Sequence, residues 1–350
     1  MKGLWIYIMS NNNVISVIIP VYNGEKTIVR ALKSLEIQKY KDIEIICVDD
    51  GSTDNSYEIM KNYKNNSGLE VKIFQQLNQG ASAARNLGIE KSKGEYLMFL
   101  DADDEYEEGL IDYMYFLVKN IDLVMCGIKK VENGKYVVNN KIEDITIQGH
   151  QNIANNFMTL QLMGVINSPC NKLYRKRIIT ANNIKFDLDQ SIGEDFLFNL
   201  KYISCCWSLK ITSKKFLLYN TDDSFVTKQI RENEYENRKK NVEKLQEFYD
   251  NNNIESDLSF QYVKLLYSDI YQILKNSKRK SVKKINDRIS EIRLDDKIIK
   301  TEKEYKPKHL IEKILVYPLK LRTNIIVIIV SYISYFFSNN RKFKKKIISI

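Results

Sequence analysis

The segment at residues 94–104, GEYLMFLDADD, constrains this chain more than any other. Tyr96, Leu97, Met98, Phe99 and Leu100 are all bulky and apolar, with no polar residue between them. A run without alternation suits a strand covered on both faces, as in a parallel α/β sheet. Carboxylates follow at once. Asp101 and Asp103, two residues apart in an extended segment, point to the same side. Acids at the carboxyl end of a central strand lie where open α/β sheets bind ligands. A bound divalent cation relieves their mutual repulsion. The bland alternative is an exposed acidic turn, and the rest of the chain decides between the two.

The segments before it set the topology. Residues 14–20, VISVIIP, are a β-branched run and predict the first strand. A turn follows at 21–24, and 25–38 carry apolar residues at helical spacing. Residues 43–48, IEIICV, predict the second strand, which runs into Asp49, Asp50 and Gly51. Gly51 permits a tight turn, and Asp54 or Ser56 is placed to cap a helix over 57–63. A third strand is expected over 69–74. The polar small-residue segment NQGAS leads into a helix over 83–91, and the opening strand comes next. This βαβαβαβ order is that of a doubly wound parallel sheet, with the chemically unusual loops on one edge. Beyond Asp104 the pattern loosens. Helices are expected over 110–119, 153–163 and 196–204, and strands over 121–131, 136–147 and 209–219, with a hairpin turn at Asn133 and Gly134.

Charge is unevenly placed. The chain of 350 residues has a net charge of +10. Residues 301–350 carry eleven Lys and Arg against three acids, a net of +8, so the preceding 300 residues hold only +2. The basic character belongs to the tail and is not the mark of a nucleic-acid-binding domain. Five cysteines without CxxC spacing read as reduced, buried thiols, and two histidines make a His-based zinc site untenable. The N-terminus lacks the long apolar region and cleavage site of a signal peptide. Residues 229–300 are polar with apolar residues at helical spacing and predict a charged helical hairpin. Residues 325–337 are almost wholly apolar and precede RKFKKK at 341–346. Thirteen helical residues span about 20 Å, short of the ~30 Å hydrocarbon core. An interfacial helix on an anionic leaflet fits that pattern better than a span.

Asp50, Asp101 and Asp103 each follow a strand and should converge on one cleft. Such a cleft suits a nucleoside diphosphate and a hard cation that prefers oxygen ligands. Arg85, opening the helix after the small-residue loop, can stabilise phosphate charge, as can backbone N–H groups there. The bland reading of Arg85 is a surface salt bridge.

Four segments in order, SVIIPVYNGE, VDDGSTDNS, NQGASAARNLGI and GEYLMFLDADD, then PCNKLY and GED, resemble the inverting family 2 glycosyltransferases of the GT-A fold. The likeness covers residues 14–225 and looks most like bacterial capsular and exopolysaccharide sugar transferases. It implies a doubly wound mixed α/β sheet with a helical C-terminal extension. The divisions expected are an N-terminal extension (1–13), a catalytic domain (14–228, with a nucleotide-binding half to 104 and an acceptor half from 105), a helical extension (229–307) and a basic amphipathic tail (308–350).

The resemblance also implies roles. Pro20, Tyr22 and Asn23 would border the nucleotide, and Asp50 would face uracil. Asp101 and Asp103 would form the metal-binding D-x-D for Mn²⁺ or Mg²⁺, with Asp103 the direct ligand and Asp101 near the ribose or metal. Asp195 would be the catalytic base. Glu194 is either a helix-start acid or a sugar-hydroxyl ligand. The donor would be a UDP-hexose or UDP-N-acetylhexosamine, and the acceptor a glycan or lipid-linked saccharide. The enzyme would then be cytoplasmic and peripheral on the inner membrane face. The basic or His residue that the family often places after the last core strand is missing from NTDDSFVTK, where Lys228 is a weak substitute. The Q-x-x-R-W signature of processive members is absent. Two alternatives remain at this point: a haloacid-dehalogenase-like phosphatase, and a non-catalytic nucleotide-binding scaffold.

Overall fold

The structure, a computed structural model, describes residues 14–137, 142–190, 192–221, 234–276, 282–321 and 323–339. The chain divides into two compact units, Met1–Lys228 and Gln229–Ile350.

The first unit is built on one mixed sheet. Its first half alternates β1 (Ile15–Val21), α1 (Ile28–Glu36), β2 (Ile43–Asp49), α2 (Ser56–Asn66), β3 (Glu70–Gln75), α3 (Ala81–Lys91) and β4 (Tyr96–Phe99). These strands run parallel in the order β3-β2-β1-β4, which puts the carboxyl ends of β1, β2 and β4 on one edge. β2 and β4 are buried at every position, as strands covered by helices on both faces must be. The helix α3 lies hard against β1. A Cβ added at Gly88 would sit 2.3 Å from the Ile18 side chain, so only glycine admits this approach.

The second half adds β5 (Glu105–Tyr106), α4 (Leu110–Leu117), β6 (Leu123–Glu132), β7 (Lys135–Val137), β8 (Ile145–Gln148), α5 (His150–Leu162), β9 (Lys172–Arg175), α6 (Lys176–Ala181), α7 (Glu194–Ser204) and β10 (Ser208–Asn220). The short β9 is antiparallel to both β4 and β6 and joins the two halves. The sheet continues β9-β6-β10-β5. Asn133 and Gly134 turn the β6–β7 hairpin with φ of 49° and 66°, the left-handed pair a tight hairpin needs.

Two expectations are corrected here. The single strand expected over 136–147 is two short strands with different partners, β7 on β6 and β8 on β10. Residues 101–104 are not extended but form a turn, in which the Asp104 N–H donates to the Asp101 carbonyl at 3.0 Å.

The second unit is helical: α8 (Glu234–Asn251), α9 (Ser259–Asn276), α10 (Val282–Ile292), α11 (Asp296–Glu304), α12 (Leu310–Lys320) and α13 (Asn324–Asn339). Four helices thus stand where a hairpin was expected. Its core gathers Leu266, Ile270, Ile285, Ile289 and Ile298 with Val316, Leu319, Val327 and Ile328 from the last two helices. Among the described residues, no helix is long and apolar enough to cross a membrane.

Candidate active site

The loops after β1 and β2 brace one another. The Asn23 side-chain oxygen accepts from the Thr53 N–H at 2.9 Å, and the Asn23 N–H donates to Ser52 Oγ at 3.0 Å. The Gly24 N–H donates to Ser56 Oγ, and the Glu25 N–H to Asp54 Oδ2. Neither Asp54 nor Ser56 is the N-cap residue of α2, a place taken by Asn55. Asp54 still serves the helix start, its Oδ1 accepting from the Ser56 N–H at 2.9 Å, while its Oδ2 and Ser56 Oγ hold the β1–α1 loop. Asn23 itself is left-handed, at φ 49°. Pro20 is half-buried at the end of β1, and Tyr22, just after it, is exposed.

Asp50 is buried and fixes the loop leading to α3. Its Oδ1 accepts from Gln76 Nε2 at 2.7 Å and from the Gln79 N–H at 2.9 Å, and its Oδ2 accepts from the Gly80 N–H at 2.8 Å. This carboxylate therefore sets the start of α3, and with it the position of Arg85 one turn later.

Arg85 is not on the surface. Its guanidinium is buried and bridges two carboxylates, Nη2 to Asp101 Oδ1 at 2.8 Å and Nη1 to Asp195 Oδ1 at 3.0 Å. Phe186 lies beneath it, 5.2 Å from the guanidinium carbon to the ring centre. Asn86 clamps the backbone of Phe186 with two hydrogen bonds of 2.8 and 2.9 Å. The two acids hold the Arg85 pKa above its usual value against burial. Asp195 sits in the first turn of α7, which begins after Gly193 at φ 80°. Burial lifts the Asp195 pKa to about 7; Arg85 pulls it down, while Glu194 and Asp101 push it up.

The acidic turn is tightly held. Arg30 Nη2 donates to the Asp103 carbonyl at 2.7 Å, and Asn220 donates through its amide to the same oxygen at 3.1 Å. The Asn220 N–H donates to Asp104 Oδ1 at 3.0 Å. Carboxylate oxygens of Asp101, Asp103 and Asp104 lie within 4.8 Å of one another. Burial, then the charges of Asp101 and Asp103, push the Asp104 carboxyl up to about 9. Three clustered acids, one of them unable to ionise comfortably, fit a hard divalent cation, whose charge removes that repulsion.

A model of glycosyl transferase family 2 matches residues 16–181. Residues 16–181 belong to glycosyltransferase family 2. An uncharacterized glycosyltransferase of Escherichia coli K12, YibD, is 29% identical over 236 residues, covering 64% of this chain and 67% of that protein. The poly(ribitol-phosphate) β-N-acetylglucosaminyltransferase TarS of Staphylococcus aureus is 30% identical over 209 residues, 59% of this chain and 35% of TarS. The crystal structure of TarS 1–349 in complex with UDP-GlcNAc superposes with a TM-score of 0.54 at 21% identity, covering 86% of this chain and 78% of that one. The sheet of the first unit is thus that of the GT-A fold, with a helical C-terminal part. The chain spans about two thirds of YibD and about a third of TarS.

In this glycosyltransferase domain the structure gathers Asp101, Asp103, Asp195 and Arg85, and puts Glu194 beside Asp195 at the helix start. Pro20, Tyr22, Asn23 and Asp50 border the same sheet edge. Three contributors escaped the sequence reading. Asp104 was visible as the third acid of DADD. Asn220 carried no local signal, because it acts on a turn over a hundred residues away. Lys172, within PCNKLY, is fully buried and donates to the Val165 carbonyl at 2.6 Å, to Asn171 Oδ1 at 2.9 Å and to the Ser168 carbonyl. Burial lowers its pKa to about 7. Lys228, the extension 1–13 and the basic run 341–346 lie outside the described residues.

Proposed function

We propose that the domain moves a sugar from a nucleoside-diphosphate sugar to an acceptor hydroxyl in one inverting displacement. The observation that carries this reading is the Arg85 bridge between Asp101 and Asp195. It ties the acid nearest the diphosphate to the acid that takes the acceptor proton. Asp195, poised near 7, is basic enough to accept a proton at neutral pH as the acceptor oxygen attacks the anomeric carbon. An α-linked donor then yields a β-glycoside, and no covalent sugar–enzyme intermediate is needed. Asp101, Asp103 and Asp104 would hold Mn²⁺ or Mg²⁺. When bound, such an ion supplies positive charge against the departing diphosphate. Pro20, Tyr22, Asn23 and Asp50 form the nucleotide side, with Asp50 acting through the loop it fixes. Glu194 is a candidate ligand for a sugar hydroxyl.

The TarS complex makes UDP-GlcNAc the first donor to test, within a class of UDP-hexoses and UDP-N-acetylhexosamines. The acceptor is a glycan or lipid-linked saccharide of surface polysaccharide synthesis, such as a capsule, met by an enzyme peripheral on the inner membrane face. The decisive experiment is a UDP-sugar screen with Mn²⁺, followed by Asp195→Asn. The variant should bind donor as the wild type does in calorimetry and lose roughly 10²–10⁴-fold in turnover. Undiminished transfer by Asp195→Asn would remove Asp195 from the mechanism.

A further inference from the structure

The last two helices are apolar on two sides, and among the described residues one side is buried in the helical core while the other keeps much of its surface exposed. In α12, Val316 and Leu319 are buried in the helical core, while Leu310, Ile314 and Tyr317, with the C-cap residue Leu321, recur at helical spacing on the exposed side. In α13, Val327 and Ile328 are buried, while Ile325, Ile329, Ile333 and Phe336 form a second exposed stripe. Ile325 and Phe336 each keep 67% of their surface exposed. From residue 324 to 339 there is no charged side chain. Apolar stripes of this length on adjacent helices mark a contact surface rather than ordinary surface scatter.

We infer that these two stripes are a lipid-docking face that seats the helical unit on an anionic bilayer leaflet without crossing it. The inference deepens the peripheral membrane location proposed above and rests on it. Charge identifies the occupant. Residues 229–350 carry 27 Lys and Arg against 16 Asp and Glu, a net of +11, so residues 1–228 hold −1. Lys313 and Lys320 fall on one border of the α12 stripe, and the run RKFKKK follows α13 in sequence. Cations beside an apolar stripe match acyl chains below anionic headgroups. A second copy of this chain would bring the same cations face to face across a two-fold axis.

Length and rigidity fit the same occupant. The 16 described residues of α13 span about 24 Å, less than the ~30 Å hydrocarbon core, which fits a helix lying along the surface. The pair is held in place before any lipid arrives. Arg293 donates to the Leu319 carbonyl at the end of α12 (2.6 Å) and to Asn324 Oδ1 at the start of α13 (2.9 Å). Tyr267 donates its hydroxyl to the Leu315 carbonyl at 3.2 Å. A preformed face avoids the ordering cost of a helix that folds on the membrane.

The test is flotation of the full chain with phosphatidylcholine vesicles, with and without phosphatidylglycerol. The wild type should float with the anionic vesicles, and raised salt should weaken binding. Ile325→Glu combined with Ile329→Glu should cut the bound fraction at least about tenfold. Leu294→Glu, exposed on the same unit but off both stripes, should leave it unchanged. Circular dichroism melts establish that each variant is folded. UDP-GlcNAc turnover on a soluble acceptor should survive in all of them. Vesicle binding by the double variant equal to wild type overturns the proposal. So does a wild-type dimer in sedimentation that the double variant dissolves while neither binds vesicles. Absence of donor turnover in the wild type would speak against the chemistry proposed for the first unit, while flotation would still decide the docking face.

Discussion

At the scale of single residues, the site turns on how one guanidinium divides its charge. As the proposed base, Asp195 would have to be deprotonated to act, so turnover should fall about tenfold per pH unit below about 7. Glu194 raises the Asp195 pKa as a neighbouring like charge. Glu194→Gln should therefore move the acid limb of the kcat/KM profile to lower pH, and a limb that stays in place would mean that the limb belongs to another group. Removing Arg85 works in the other direction. Arg85→Met takes away the charge that favours ionised Asp195, so the limb should move up. It also leaves two partly buried acids unpaired, which should cost about 2–3 kcal/mol in urea unfolding. Asp101 and Asp103 were expected from their place after a strand, and Asp195 only through the family resemblance. The bridge was not, because the partners of Arg85 lie 16 and 110 residues away and local sequence does not encode such pairings.

At the scale of elements, the parallel half was readable almost to its ends. β-branched runs separated by helical periodicity leave few other arrangements, and β1, β2, β3 and β4 fall within a residue or two of the strands expected. The remainder was harder for a physical reason. Alternation identifies a strand but not its partner, so β7 and β8 merged into one strand when read locally. In the second unit, apolar spacing reports helices but not where a charged chain breaks, and four helices passed for two. The tight seat of α3 gives a prediction at this scale. Gly88→Ala would gain up to about 1 kcal/mol of helix propensity. The clash with the fully buried, β-branched Ile18 should outweigh it, for a net loss of about 1–2 kcal/mol by denaturant unfolding. Because Arg85 rides three residues earlier on the same helix, turnover should fall as well. A stabilised, fully active variant would show that α3 can shift without disturbing Arg85.

At the scale of the whole molecule, stability and ligand are coupled through the acidic turn. The folded chain holds a proton on Asp104 up to about pH 9, whereas the unfolded chain releases it near 4. The native state therefore binds more protons in that window, and this contribution to stability, complete below about pH 4, is lost as pH rises towards 9. The melting temperature of the metal-free wild type should drop more between pH 6 and 8.5 than that of Asp104→Asn, and Mn²⁺ should remove much of the difference. Equal drops in the two proteins would mean that Asp104 is already ionised. Charge divides at the same scale, with the +11 of residues 229–350 set apart from a nearly neutral catalytic unit.

The small strand β9 has a consequence for how a substrate gets in. It hydrogen-bonds to β4 on one side and β6 on the other. Tyr106 adds a clasp across the same junction, its hydroxyl reaching the carbonyls of Phe99 (2.6 Å) and Cys170 (3.0 Å). Phe99 meets the rings of Tyr174 and Phe186 edge-on, and Phe186 stacks on Phe198. Many two-part enzymes swallow a ligand by folding one lobe onto the other about a flexible joint. Here the joint is held by these contacts, so capture of the proposed donor would fall to side chains and short loops along the rim. Amide hydrogen exchange in β9 should be the same with and without UDP-sugar, and faster exchange on binding would reveal a lobe motion after all.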